Sequence, residues 1–90
     1  MKKEYRSKAK IVADIIEAVI REGKGKPSKI MMDANLSYER MNKYLGYLVS
    51  SGLLQFSDDE GVYIVTDKGL KFLDEFKRFE KLTRAFGLEL

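Results

Sequence analysis

The side chains with the most evident binding chemistry lie in the run NLSYERMNKYLGYL. Its polar and aromatic members are Ser37, Tyr38, Arg40, Asn42, Lys43 and Tyr47. Arginine and lysine pair with phosphates or guanine edges, asparagine pairs with adenine, and tyrosine contacts a phosphate, a sugar or a thymine methyl group. The alternative is that the charges only solvate a helix surface while the tyrosines pack. The run therefore predicts either a surface that reads DNA or an ordinary solvated helix face.

Catalytic chemistry has little support in this sequence, because cysteine and histidine are both absent. Their absence removes the usual zinc and iron ligands, the thiol nucleophile and the commonest general base. The cluster Asp58-Asp59-Glu60 falls in a predicted exposed loop, which supplies neither enclosure nor supporting hydrogen bonds. We predict a protein that is not an enzyme and that has no catalytic residue, no metal and no cofactor.

Positive charge is concentrated in the first half of the chain. Residues 1–43 contain 11 Lys/Arg and 6 Asp/Glu, a net +5, whereas residues 44–90 contain 6 and 8, a net −2. A basic excess suits a polyanionic partner such as DNA. At the start of the second predicted helix, phosphate contacts are expected from Lys24, Lys26, Ser28 and Lys29. A basic arm, which either follows a DNA backbone or stays solvated, contains Lys2, Lys3, Arg6, Lys8 and Lys10.

The helical spacing of apolar residues predicts the first three elements. A wide apolar stripe indicates a first helix over about residues 7–22, packed on more than one side. Pro27 suits the first turn of a short second helix over about residues 27–35. Ser37 is a favourable N-cap for a third helix over about residues 38–50.

The remaining elements are a β-hairpin and a long last helix. Two short apolar runs, LLQF and VYIV, are joined by SDDEG, which predicts a hairpin with a five-residue loop. Thr66 caps a helix that continues to about Phe86 and returns Leu70, Leu73 and Phe76 to the core. The fold class is therefore mainly α with a small β-hairpin. It is a winged helix-turn-helix in the order α-α-α-β-β-α with an extended C-terminal helix, and the hairpin is the wing.

We expect residues 1–90 to form a single winged-helix domain, because a chain of this length buries one modest core. It divides into a basic arm (1–6), a winged-helix core (7–69) and a C-terminal dimerisation helix with its tail (70–90). No signal peptide and no apolar run of the roughly 18 residues that span a bilayer is visible. A cytoplasmic, nucleoid-associated location without a membrane partner is therefore expected.

The last helix carries a heptad-like apolar stripe typical of a coiled coil. Its members are Phe72, Phe76, Phe79, Leu82, Thr83 and Phe86. The first helix cannot cover all of these positions, which extend over about four turns. The stripe therefore predicts a homodimer formed through this helix.

A resemblance to a known protein family rests on two runs of the sequence, KIMMDANLSYERMNKYLGYLVSSGLL and YIVTDKGLKFL. The chain resembles the archaeal winged-helix transcriptional regulators, a group that includes a chromatin-associated DNA-binding protein of about this size. The resemblance extends over roughly residues 11–79. It implies binding of double-stranded DNA through the third helix and antiparallel homodimerisation through the extended C-terminal helix.

The acidic wing tip departs from the DNA-binding pattern, since many winged-helix proteins place arginine or lysine there. Asp58, Asp59 and Glu60 repel a phosphate backbone. We predict that the tip stays off the DNA or serves another partner. The alternative function is a protein–protein interaction module without direct DNA binding, which uses Tyr38, Tyr47 and the acidic wing.

Overall fold

The structure, a computed structural model, describes residues 6–88 and has four helices and one antiparallel hairpin within that range. The elements are α1 (Lys8–Glu22), α2 (Pro27–Asp33), α3 (Tyr38–Ser50), β1 (Leu54–Ser57), β2 (Val62–Val65) and α4 (Asp67–Ala85). The predicted fold class is thereby confirmed. The hairpin loop occupies positions 58–61 and is one residue shorter than predicted, because Ser57 still pairs with Val62 at the end of β1.

Three of the helices begin at side-chain caps, of which the sequence predicted Ser37 and Thr66. The hydroxyl oxygen of Ser37 accepts a hydrogen bond from the backbone N–H of Arg40 at 3.2 Å. Ser7 does the same for Lys10 at 3.0 Å, and Thr66 for Gly69 at 3.0 Å. Each cap satisfies an N–H group that has no partner inside its helix, and a cap of this kind stabilises by about 1 kcal/mol.

Helix α1 lies at the centre of the core. Ile15, Ile16 and Val19 have no exposed surface, and residues of α2, α3 and β1 pack around them. From α3, the core receives Met41, Leu45 and Leu48, at the helical spacing that the sequence predicted. Burying each such side chain contributes about 1.5 to 3 kcal/mol. The buried side of α3 therefore fixes which side of that helix faces solvent.

The buried side of α4 differs from the prediction at Leu70, which is 45% exposed. Gly69, Leu73 and Phe76 are buried instead, and at about 100° per residue they lie on one side of the helix. Leu70 projects roughly 90° from the middle of that side, so it lies outside the buried side of the helix. In α1, the apolar stripe also extends beyond the core, since 40% of the surface of Ile20 is exposed.

The start of α4 is held by close contacts with Gly52 and Leu53, which follow the end of α3. The Thr66 hydroxyl donates to the carbonyl of Gly52 at 2.6 Å. A Cβ atom at Gly69 would lie 2.2 Å from the carbonyl oxygen of Leu53, so only glycine allows this approach. The sequence TDKG is thus a packing motif that fixes the first turn of α4 beneath the wing.

Candidate nucleic-acid interface

Helix α3 has an outer surface made of polar and aromatic residues, as the sequence predicted. Tyr38 is 67% exposed and Tyr47 is 58% exposed. Asn42 and Lys43 are exposed beside them, while Arg40 is half-buried. By its helical angle Tyr38 lies at the border of the buried side, and the structure turns its ring outward.

The charge of Lys43 is not compensated by any carboxylate in the part of the chain that the structure describes. Within residues 6–88, neither Lys43 nor Lys26 forms an ion pair. Both side chains are exposed, so their ammonium groups can meet an anion without first releasing an internal partner. Such lysines suit contact with phosphate.

Gly46 lies on the same exposed side of α3. A glycine within a helix costs about 1 kcal/mol relative to alanine, so its presence calls for a reason. A Cβ atom at this position would meet no described atom within 4 Å. Close packing inside the protomer therefore does not explain this glycine.

The basic cluster at the start of α2 is partly neutralised by ion pairs. Lys24 Nζ lies 2.9 Å from Glu60 Oε1. Lys29 Nζ lies 3.6 Å from Glu22 Oε2 and 3.9 Å from Asp33 Oδ1. Ser28 is exposed near them. Of the three lysines predicted to bind phosphate here, only Lys26 is without an ion pair among the described residues.

The wing is tied to the loop between α1 and α2. Gly25 and Tyr63 exchange two backbone hydrogen bonds, of 2.8 and 2.9 Å, so this loop pairs with β2 along the edge that β1 leaves open. The pairing brings Lys24 beside Glu60. Part of the negative charge of the wing tip therefore faces the protein's own basic loop, a contact that the sequence did not reveal.

Two residues of the predicted basic arm, Arg6 and Lys10, hold elements of the protein together. Arg6 Nη1 donates to the Ala34 carbonyl at 2.7 Å and pairs with Asp14 at 2.9 Å, while Arg6 Nη2 donates to the Asn35 carbonyl at 2.9 Å. Arg6 thus joins α1 to the turn between α2 and α3, where Asn35 has a positive φ of 54°. Lys2 and Lys3 lie outside the described residues.

Lys10 is the second of these residues. Its ammonium lies 3.3 Å from Asp14 Oδ1 and 3.4 Å from Glu80 Oε2. Partial burial lowers the pKa of Lys10, but these two carboxylates raise it more, so the net pKa lies above its ordinary value. Its charge links α1 to α4, whereas Lys8 remains exposed and forms no ion pair within the described chain.

The apolar stripe of α4 divides into an inner and an outer part. Phe76 and Thr83 are 8% exposed, and Phe72 packs against the core. The outer part consists of Phe79, Leu82 and Phe86, which are 51%, 54% and 74% exposed. At about 100° per residue these three lie within about 60° of the helix circumference. Within residues 6–88, the protomer leaves about half or more of each of these three side chains exposed.

Other kinds of site find no support in the described part of the chain. Among residues 6–88, no group of three or more potential ligands is placed to hold a metal ion. In the same range, no helix combines the length and apolar character needed to cross a membrane.

Comparison with protein families gives a match over most of the chain. A family model described as winged helix-turn-helix matches residues 5–84. An uncharacterized protein of Methanocaldococcus jannaschii is 34% identical over 77 residues, which make up 86% of this chain and 35% of that protein. The chain therefore spans about a third of the length of this curated relative.

Two solved structures share the fold. Sso10a-2, a DNA-binding protein from Sulfolobus solfataricus, superposes with a TM-score of 0.78 and 26% identity, over 90% of this chain and 85% of that one. The transcriptional regulator Tm0710 from Thermotoga maritima superposes with a TM-score of 0.65 and 18% identity, over 84% of this chain and 60% of that one. The second likeness concerns the fold alone.

Proposed function

The chain belongs to the winged helix-turn-helix family, and from this membership we propose that it binds duplex DNA as a homodimer. Helix α3 enters the major groove, and the protein acts as a transcriptional regulator or as a chromatin component. This role places it in the cytoplasm with the nucleoid, and it requires binding without catalysis.

The observation that carries the proposal is the exposed surface of α3. Asn42 and Lys43 combine a base-reading amide with an uncompensated charge, and Tyr38 and Tyr47 flank them with exposed rings. Sso10a-2, which shares the fold at 26% identity, is described as a DNA-binding protein. Gly46 fits the same role, because the absence of a side chain lets a groove wall approach the helix.

Phosphate contacts come from the lysines beside α2. Lys26 is exposed and without an ion pair in the described chain, so it can bind a phosphate directly. Lys24 and Lys29 must first exchange a carboxylate for a phosphate. The Lys24 pair with Glu60 is about half exposed and contributes only about 0 to 1 kcal/mol, so removal of the Glu60 charge is enough to make Lys24 available to a phosphate.

Dimerisation uses the outer stripe of α4. Phe79, Leu82 and Phe86 form one exposed apolar strip that a second copy of α4 would bury. An antiparallel pairing presents two α3 helices to one duplex. Linking two sites in this way raises affinity without any new contact at either site.

The test is a charge reversal with a matched control. Lys43→Glu should weaken binding of a fluorescent duplex at low salt by at least tenfold, measured by anisotropy. Lys81→Glu changes the net charge equally, on an exposed position of α4 outside both the α3 surface and the outer stripe. Equal affinity of the two variants would refute the placement of α3 in the groove.

A second candidate function is a protein–protein interaction module. It is favoured by Asp58 and Asp59, which are exposed and form no ion pair within residues 6–88. Together with Tyr38 and Tyr47 they offer an acidic and aromatic surface to a basic partner. Absence of salt-dependent binding to any duplex or single strand, with recovery of a protein partner, would favour this function.

A further inference from the structure

A groove of about 730 Å³ lies between α1, α3 and the start of α4. Its volume is within the range of about 300 to 1,000 Å³ that is usual for small-molecule sites. Lys8, Lys43 and Lys68 line it, and no carboxylate of residues 6–88 does. We propose that this groove binds a small amphipathic carboxylate, which has an apolar body of one or two rings and a single negative head.

The apolar lining of the groove matches the apolar body of the proposed ligand. Val12 and Leu53 are 6% and 8% exposed and belong to the core, so the groove reaches down to it. Tyr44 and Phe72 pack against the same core and offer aromatic rings. A flat apolar ligand can stack on these rings and exclude water from them.

The three lysines of the groove match the negative head of the proposed ligand. Lys8 and Lys43 are exposed and form no ion pair with any described residue. Lys68 Nζ donates one hydrogen bond to the Ser51 carbonyl at 2.8 Å, which holds its ammonium at the groove and leaves further N–H donors. Three positive charges around an apolar groove favour an anion whose remaining surface is apolar.

A nucleotide fits the groove less well than a simple carboxylate does. Among residues 6–88, its lining contains no asparagine, glutamine, aspartate or glutamate to pair with the edge of a base. The Ser51 hydroxyl is already used, since it donates to the Tyr47 carbonyl at 2.8 Å. The tyrosine hydroxyls and the lysines can still form single hydrogen bonds, but no side-chain amide or carboxylate of the described lining can pair with two adjacent atoms of a base edge. A nucleobase would therefore recover only part of the hydrogen bonds that it makes with water.

Binding in this groove is coupled to the proposed DNA contact. Lys43 and Tyr47 line the groove and also belong to the exposed surface of α3. A carboxylate that engages Lys43 removes a charge from the DNA-contacting surface, so ligand and duplex compete. This coupling rests on the proposed function, whereas the ligand site itself does not.

Isothermal titration of the full chain with naphthalene-1-carboxylate tests the site, and the neutral naphthalene-1-carboxamide tests the need for charge. Ala9→Trp fills the groove from an exposed position of α1, and Lys8→Met removes one charge. Lys81→Met is the matched control for Lys8→Met. We expect the carboxylate to bind, the amide to bind at least tenfold more weakly, Lys8→Met to cost about tenfold and Ala9→Trp to abolish binding. Unchanged affinity for Lys81→Met and unchanged circular dichroism of every variant complete the expected result.

Absence of carboxylate binding, or binding insensitive to Ala9→Trp and Lys8→Met, would overturn the site. So would conversion of a dimer to a monomer by Ala9→Trp in sedimentation, since a second copy would then occupy the groove. Groove-dependent carboxylate binding without any DNA binding would keep the site and refute the proposed function. If duplex and carboxylate bind simultaneously, the competition is refuted while both sites remain.

Discussion

The ion pair between Lys24 and Glu60 provides the sharpest test of how the wing affects DNA binding. Glu60→Gln removes a negative charge from the wing tip and releases Lys24, whose ammonium lies 2.9 Å from that carboxylate. Both side chains are about half exposed, at 60% and 49%, so the loss of the pair should cost stability less than about 1 kcal/mol. The released lysine can then neutralise one more phosphate.

The expected gain in DNA affinity follows from two contributions. A charge removed at about 10 Å from a phosphate in water is worth about 0.4 kcal/mol, and one new lysine–phosphate contact adds about 1 kcal/mol. Together they predict a roughly tenfold increase at low salt. The slope of log K against log salt should also steepen by about 0.9, because one more counterion is released. Fluorescence anisotropy at several salt concentrations measures both quantities.

The matched control is Asp59→Asn, which removes the same charge from the same loop and leaves the Lys24 pair intact. It should raise affinity only about twofold and leave the salt slope unchanged. If the two variants gave equal affinities and equal slopes, Lys24 would not be a phosphate contact. The wing would then act only through its long-range field.

Three further changes test the helices. Gly46→Ala should stabilise the fold by about 0.5 to 1 kcal/mol, seen as a rise of several degrees in Tm, because its Cβ meets no described atom within 4 Å. The same variant should weaken duplex binding in an anisotropy titration, and unchanged affinity would mean that no groove wall approaches this position. Gly69→Ala should lower the free energy of unfolding by about 3 kcal/mol in chemical denaturation, because its Cβ would lie 2.2 Å from the Leu53 carbonyl oxygen. A loss below about 1 kcal/mol would contradict the close contact between α4 and Leu53. Phe79→Glu should convert a dimer to a monomer in light scattering, because it places a charge in the interface. The stability of the monomer should be nearly unchanged, because Phe79 is 51% exposed in the protomer. A dimer that persists would exclude the outer stripe as the interface.

The fold could be predicted from the sequence because its signals are local. Ser7, Ser37 and Thr66 each cap a backbone N–H three residues away, and apolar spacing of three and four residues set the buried side of α3. Leu70 was assigned wrongly because helical spacing alone does not locate the middle of a buried side. That position depends on Gly69, whose close contact with Leu53 involves a residue far along the chain.

The electrostatics of the site could not be predicted, because its contacts join distant segments. Arg6 reaches carbonyl groups 28 and 29 residues away, and Lys24 pairs with a residue 36 positions later. No sequence period connects such residues. The basic patches were visible in the composition, but which lysines are already paired depends on the fold.

Ion pairing, more than net charge, therefore decides which lysines of the proposed DNA-binding surface are available to phosphate. Five basic residues were predicted to contact DNA, and two of them, Lys24 and Lys29, already hold carboxylates. If only Lys26 and Lys43 neutralised phosphates, the salt slope would be about 1.8 per protomer, whereas all five would give about 4.5. A slope near the lower value that steepens by about 0.9 in Glu60→Gln would mean that the pair with Glu60 keeps Lys24 from phosphate in the wild type. A wild-type slope already near the upper value would mean that phosphate displaces these carboxylates on binding, so that the wing tip separates from the basic loop when DNA arrives.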